Sequence, residues 1–164
     1  MSRLIAISNR TAVDPKARAG GLAVAVWESL KATGGVWFGW SGDIVESEHH
    51  VLHGHYDDGV EFLLTDLTEE EHDGYYLNYA NRVIWPVFHY RIDLAWFNRE
   101  AFTVYAAVNQ RFARQIAPRL QKGDVVWVHD YHFIPLAKKL RALRCTQKMG
   151  FFLHVPWPAK EILM

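Results

Sequence analysis

The sequence predicts an α/β fold: an open and mainly parallel sheet in a single domain. Short apolar runs rich in β-branched and aromatic residues alternate with segments of helical periodicity, which is typical of parallel β-α-β units. Two of these runs switch to polar residues where a strand should end, VVWVHDYHFIP (125–135) and GFFLHVPWP (150–158). With 164 residues, half of them hydrophobic, the chain is long enough to bury a core.

In the first half of the chain we expect three strands and one helix. The helix starts at Gly21 and ends at Gly34 and Gly35, because glycine commonly terminates helices. The His- and acid-rich stretch 43–59 predicts a loop or an irregular hairpin. The strands are expected over 3–8, 35–42 and 60–67, with a loop over 11–21.

The second half predicts two helices and then a β-α-β unit. Thr68 and Glu71 have the spacing of a capping box, so a helix should start there and run toward Pro86. The next helix carries apolar residues on one face and ends before Pro118. Those apolar residues are Tyr105, Val108, Phe112 and Ile116, and the β-α-β unit comprises strand 124–129, helix 134–143 and strand 149–154.

The composition excludes several classes of protein. Lys plus Arg and Asp plus Glu each number 18, so no charge excess points to nucleic acid or to an anionic membrane. The N-terminus lacks the apolar core and cleavage site of a signal peptide, and no apolar stretch approaches the about 20 residues of a membrane span. The single cysteine, Cys145, suits a reducing cytosol. We therefore expect a soluble cytoplasmic protein, and the sequence leaves open whether it is a homo-oligomer.

Polar residues at the ends of the last two predicted strands are the strongest functional candidates. Ligands of parallel α/β sheets bind beyond the carboxyl ends of the strands. Asp130 suits acid/base chemistry or hydrogen bonds to sugar hydroxyls, and the alternative is a helix N-cap. His154 suits donation to a hydroxyl or to a developing negative charge, and the alternative is a core histidine with its hydrogen bonds satisfied.

The end of the first strand offers a candidate anion site. Arg10 could bind a phosphate through two parallel hydrogen bonds, whereas its alternative is a surface ion pair. Gly20 and Gly21 precede a helix start, where backbone N–H groups can approach a phosphate; a plain tight turn is the alternative. Aromatic residues make up 14% of the chain, and several flank Gly or Pro, where they suit a sugar site as well as a Trp-rich core.

Two histidine clusters are weaker candidates for a metal site. His129 and His132 with Asp130 resemble a fragment of a metal site, but the turn after the strand lacks an obvious third ligand. A second cluster lies in a stretch that favours a solvated loop, and it comprises His49, His50, His53 and His55. The sequence also lacks the GxxxxGK[ST] and GxSxG motifs of P-loop proteins and α/β-hydrolases. We expect no metal and no other cofactor.

Motifs along nearly the whole chain, from Arg10 to Pro158, match one family in order and spacing. They are SNR (8–10), AGGLA (19–23), GGVWFGWSG (34–42), YY (75–76), WPVFHYR (85–91), HDYHFIPLA (129–137) and GFFLHVPWP (150–158). Together they resemble the trehalose-6-phosphate synthase family. The resemblance implies a retaining glycosyltransferase of the GT-B type, with two Rossmann-like domains and the active site between them. Its reaction transfers glucose from UDP-glucose to glucose 6-phosphate, which yields trehalose 6-phosphate and UDP.

The resemblance also implies roles for individual residues. Arg10 would contact the acceptor phosphate, and Gly20 and Gly21 would approach the donor diphosphate. Asp130 would hold acceptor hydroxyls and His154 the donor glucose, so that these two lie at the catalytic centre. The acceptor pocket would be shaped by Trp40, Tyr76 and Trp85.

The length of the chain departs from the family, whose members run to several hundred residues. We therefore expect residues 1–164 to be a truncated N-terminal, acceptor-side domain that lacks the C-terminal nucleotide-sugar domain and is inactive alone. Two alternatives remain at this point. One is a sister transferase with another phosphorylated acceptor, such as glycerol 3-phosphate in glucosylglycerol-phosphate synthesis. The other is a non-catalytic module that binds sugar phosphate.

Overall fold

Six strands form one sheet in the computed structural model, which describes residues 2–14, 16, 20–46 and 51–163. Their order across the sheet is β3-β4-β2-β1-β5-β6, and every neighbouring pair is parallel except β3 with β4. The predicted open, mainly parallel α/β sheet is thus confirmed. The strands are β1 (Leu4–Arg10), β2 (Gly35–Val45), β3 (His53–Asp57), β4 (Val60–Thr68), β5 (Val125–His129) and β6 (Lys148–Phe152).

Helices cover both faces of this sheet. A single helical segment spans residues 69–88, because a π-helix (His72–Ile84) joins α2 to α3 without a break. The capping box predicted at its start is present, since Thr68 Oγ1 accepts from the Glu71 N–H and a Glu71 carboxylate oxygen accepts from the Thr68 N–H, each at 3.2 Å. The α-helices are α1 (Gly21–Thr33), α2 (Glu69–Glu71), α3 (Trp85–Phe88), α4 (Arg99–Ile116), α5 (Leu136–Ala142) and α6 (Lys160–Leu163).

Alternate residues of the central strands pack into two separate hydrophobic cores on opposite faces of the sheet. On β1, Ala6 faces the core shared with α1, whereas Ile5 and Ile7 face the larger core shared with α4 and the π-helix. The same alternation places Trp37 on the first side and Phe38 on the second. A strand has a side-chain period of two, so this buried pattern sets the register of the sheet.

Stretch 43–59 contains regular strand structure and is not a plain loop. In its described part, β2 continues to Val45, and β3 pairs with β4 in an antiparallel hairpin. Asp58 and Gly59 make the turn with φ angles of 45° and 80°. An Asp-Gly pair is a strong hairpin signal, but exposed β3 lacks an apolar face and therefore gives no strand pattern.

Asn98 caps the longest α-helix, α4, and provides a test of the fold. Its Oδ1 accepts from the backbone N–H groups of Glu100 at 2.8 Å and Ala101 at 3.1 Å. We expect Asn98→Ala to lower the free energy of unfolding by about 1 kcal/mol, because two helix N–H groups lose their partner. Urea denaturation would measure this. Asn98→Asp is the matched control and should keep most of the stability, so an equal loss in both variants would contradict the role of the cap.

Candidate functional site

The carboxyl ends of β1, β2, β5 and β6 lie at one edge of the sheet, and most of the predicted site residues lie there. Arg10 is the last residue of β1, and Trp40 pairs with it on β2. Asp130 directly follows β5, and His154 lies two residues beyond β6. Because β1 is between β2 and β5, this carboxyl edge is continuous.

Arg10 offers an exposed cation at this edge. Its side chain forms no ion pair with any of the residues that the structure describes. The guanidinium carbon lies 5.5 Å from the centre of the Trp40 ring. Gly42 has a φ of +106°, and a Cβ there would lie only 3.0 Å from that carbon. The backbone of β2 is therefore shaped around the Arg10 side chain.

An aromatic wall continues from Trp40 toward β5. Tyr76 lies between Trp40 and His132, with ring centroids 6.0 Å and 5.8 Å away, and His72 contacts both Trp40 and Tyr76. The Trp40 indole N–H donates to the Asp43 carbonyl at 2.8 Å, which holds the ring in place. We define the aromatic wall as Trp40, His72, Tyr76 and His132.

Neither Gly20 nor Gly21 is required by the packing of the described chain. Gly20 has an ordinary extended φ of −92°, so a tight turn with a left-handed glycine does not explain it. A Cβ at either position would meet no described atom within 4 Å. Both residues open α1, a helix of 13 residues that follows β1 and so begins at the carboxyl edge.

Asp130 joins the ends of β5 and β6. Its Oδ1 accepts from the backbone N–H groups of Tyr131 at 3.0 Å and His154 at 3.4 Å, while its own N–H donates to the Phe152 carbonyl at 2.7 Å. It therefore caps the short 3₁₀ turn 131–133, not a helix that begins near Ile134. Both accepted bonds fall on Oδ1, which leaves Oδ2 for a hydroxyl group. Its φ of +72° is strained for a residue with a side chain, and such strain concentrates at functional sites.

His154 is exposed, so the alternative of a core histidine is wrong for it. Its neighbour His129 is the buried histidine, since it is only 1% exposed. His129 Nδ1 lies 3.1 Å from His154 Nε2. Burial, with a smaller contribution from His154, lowers the pKa of His129 to about 4, so its ring is neutral at pH 7.

Trp85 is the predicted site residue that the structure does not join to the others. It begins α3, is 41% exposed, and its ring lies 4.0 Å from the His89 ring. Within the described residues its ring contacts none of Arg10, Trp40 and Tyr76. Its place in the acceptor pocket stays a prediction.

Sequence reasoning missed His72 as part of the wall and treated His132 only as a metal candidate. The His132 ring is 93% buried against Tyr75, Tyr76 and Tyr131, and neither ring nitrogen has a hydrogen-bond partner in the described chain. Burial lowers the pKa of His132 to about 3. The HDYH motif marked this position, but no periodic signal separates a wall histidine from a metal ligand.

The histidine clusters do not converge. His129 faces Trp127 and His154, whereas His132 lies among tyrosine rings. His53 bonds to Asp66 at 3.2 Å and His55 contacts Phe62, while His49 and His50 lie outside the described residues. In the described ranges no three His, Cys, Asp or Glu side chains are grouped to hold a metal ion. Nor does any helix in these ranges have the length and apolar content to cross a bilayer.

The buried neutral His132 should make stability depend on pH. The pKa of His132 is about 3 in the folded chain and about 6.5 in the unfolded chain. Below pH 6.5 the unfolded state therefore binds more protons than the folded state, and the free energy of unfolding decreases as the pH is lowered. We expect His132→Phe to reduce this fall between pH 7 and 4.5 by up to about 1.4 kcal/mol per pH unit. Urea denaturation at several pH values measures it. His55→Phe, at an exposed position, is the control, and equal slopes in wild type and His132→Phe would contradict the prediction.

Comparison with known proteins agrees with the fold. The trehalose-6-phosphate synthase of Sodalis glossinidius is 46% identical over 99% of this chain, which spans 35% of that relative. The alpha,alpha-trehalose-phosphate synthase (UDP-forming) of Burkholderia vietnamiensis superposes with a TM-score of 0.95 at 47% identity, over 99% of this chain and 36% of that one. The Burkholderia xenovorans enzyme of the same description, in complex with glucose-6-phosphate, gives 0.92 at 46% identity, over 99% of this chain and 35% of that one.

This chain thus spans about a third of the length of the relatives that it matches. The sequence model of glycosyltransferase family 20 matches residues 3–164, which is nearly the whole chain. The chain therefore belongs to glycosyltransferase family 20.

Proposed function

We propose that residues 1–164 are the N-terminal, acceptor-side domain of a UDP-forming trehalose-6-phosphate synthase of the GT-B type. The observation that carries this is the carboxyl edge of the sheet. Four features lie along it: an arginine without an ion pair among the described residues, the glycine start of α1, the aromatic wall, and a carboxylate oxygen of Asp130 that accepts no hydrogen bond from those residues. The chain is also nearly half identical to such enzymes. The relatives are about three times longer, so the opposite wall of the cleft belongs to the part that this chain does not span.

The acceptor, glucose 6-phosphate, is held by groups of the right charge and shape. The Arg10 guanidinium has five N–H donors, and its planar fork matches two phosphate oxygens. The half-buried Tyr76 ring, packed against the buried ring of Trp40, shapes the pocket for the apolar surface of the sugar, and Asp130 Oδ2 accepts from sugar hydroxyls. Trp85, the first residue of α3, is assigned to the same pocket as part of this proposal. One relative of known structure is in complex with glucose-6-phosphate, which supports this acceptor.

The donor, UDP-glucose, approaches the start of α1. The absence of a Cβ at Gly20 and Gly21 lets the diphosphate come close to backbone N–H groups at the positive end of a helix dipole. His154 holds the glucose of the donor. This places the glucose next to Asp130, because the backbone N–H of His154 donates to the Asp130 carboxylate. The description "UDP-forming" on the relatives supports a uridine donor.

Transfer with retention proceeds on one face of the donor sugar. The bond from glucose C1 to the diphosphate oxygen breaks, the bond from C1 to the acceptor hydroxyl oxygen forms, and the hydroxyl proton passes to the departing phosphate. Asp130 and His154 then need not act as a base, and catalysis rests on positioning and on stabilising the departing charge. The reaction needs no metal in this scheme. With its single cysteine, the protein suits the cytoplasm.

A graft experiment tests the proposed function. Residues 1–164 would replace the matching third of the Sodalis glossinidius relative, and UDP release would be measured with UDP-glucose and glucose 6-phosphate. We expect the graft to form trehalose 6-phosphate and the chain alone to release no UDP above background, because it lacks the opposite wall. The unmodified relative is the control for the assay. A graft that folds but forms no trehalose 6-phosphate, or that prefers glycerol 3-phosphate, would refute this acceptor.

The acceptor phosphate contact has its own test. In the graft, Arg10→Gln should raise the KM for glucose 6-phosphate at least about tenfold, because a charge-assisted hydrogen-bond pair to phosphate is lost. The KM for UDP-glucose should stay near its original value. Arg119→Gln is the matched control, since Arg119 is exposed at the opposite edge of the sheet, where its carbonyl accepts from Arg3. Equal effects on both KM values would contradict a specific acceptor contact.

A further inference from the structure

We propose that His129 is a positioning residue that holds the His154 ring in its Nδ1–H tautomer, so that His154 presents an N–H donor at the carboxyl edge. The pairing of the two rings follows from the structure of this chain alone. That the receiving group is the donor sugar or its departing oxygen rests on the proposed function.

The two rings meet head to head in a hydrogen bond. His129 Nδ1 and His154 Nε2 are 3.1 Å apart, and the ring centroids are 5.3 Å apart. The centroid separation is close to the sum of the nitrogen contact and the two centroid-to-nitrogen distances, so the nitrogens lie near the line that joins the ring centres. The ring planes differ by 25°, which lets an in-plane N–H point at an in-plane lone pair.

Burial decides which ring donates. His129 is 1% exposed, and its Nε2 has no hydrogen-bond partner in the described chain. If His154 were the donor, His129 would carry its proton on Nε2 as a buried N–H group without an acceptor. If His129 donates from Nδ1, its Nε2 bears only a lone pair. Buried N–H groups without a partner are rarer in native structures than acceptors with unused capacity, so His129 is the donor.

The His129 ring stays neutral in this arrangement. The rings that pack against His129 in the described chain are the uncharged Trp127 and Phe152 and the imidazole of His154, and the carboxylate of Asp130 follows it along the chain. A second proton on His129 would place a charge among these apolar rings, and burial keeps its pKa at about 4. The Nδ1 proton of His129 therefore points at His154 throughout the neutral pH range.

A consequence follows for the chemistry of His154. Its Nε2 lone pair is taken by His129, so its proton is on Nδ1, whereas a free imidazole side chain in water favours the Nε2–H form. A neutral ring in this state has an N–H to donate and no free lone pair. It can stabilise a hydroxyl or a departing oxygen, but it cannot remove a proton from the acceptor. This agrees with a transfer in which the phosphate takes that proton.

Nitrogen-15 NMR of the histidine rings tests the proposal on the purified chain at pH 7.5. We expect His154 to show a protonated Nδ1 and a bare Nε2. His129→Leu should shift it to the Nε2–H form, because the donor is gone. His129→Asn should preserve the Nδ1–H form, since its amide N–H can take the place of the ring Nδ1–H. His55→Leu, at an exposed histidine on β3, is the matched control and should leave His154 unchanged.

An Nε2–H tautomer on His154 in the wild-type chain would overturn the proposal, as would an unchanged His154 signal in His129→Leu. If the Leu variant fails to fold, the wild-type and Asn spectra still decide. In the graft described above, His129→Leu should lower kcat by about a hundredfold, the scale seen when one donor to a developing negative charge is removed, and His129→Asn should restore most of it. An unchanged kcat would overturn the role in transfer, whereas an inactive wild-type graft would refute the proposed function and leave the tautomer result standing.

Discussion

The parallel pairing of β1 with both β2 and β5 is the constraint on which the rest of the site depends. Leu4 lies opposite Gly35 on one side and Val125 on the other, so three strands end at the same edge in a fixed register. The register is set by side chains far from that edge, in two cores of alternating residues. A slip of one residue would turn Ala6 and Ile7 to the wrong sides and would displace Arg10 with them.

The sequence predicts most of this framework because its signals are local. The capping box at Thr68, the glycine stop after α1 and the polar residues after β5 each act through their own neighbours along the chain. Strand β3 was predicted only within one of two alternatives, the irregular hairpin, because its pairing supplies backbone hydrogen bonds without an apolar face. Strand ends were also shifted by one to three residues, as at Arg10, where a bulge carries β1 past Ser8.

The sequence proposes the candidate site as a set of residues, but it does not predict the contacts among them. Motif resemblance singled out Arg10, Trp40, Asp130 and His154, and the sheet brings them to one edge. No sequence pattern reveals that His129 meets His154, since that contact requires β6 to lie beside β5 in the observed register. Nor does any pattern distinguish the exposed Trp85 from the buried Trp40, because exposure depends on what packs around each ring.

The carboxylate of Asp130 links the two groups that we propose contact the acceptor and the donor. One oxygen secures the backbone of His154, and the backbone of Asp130 is secured in turn by Phe152. Asp130, assigned to the acceptor, and His154, assigned to the donor, are therefore joined by hydrogen bonds, so a displacement of one is expected to move the other. Loss of activity after Asp130→Ala would combine a missing hydroxyl contact with a misplaced imidazole. Under the proposed function, evolution would therefore accept a substitution of Asp130 only where both the hydroxyl contact and the hydrogen bond to the His154 backbone are kept.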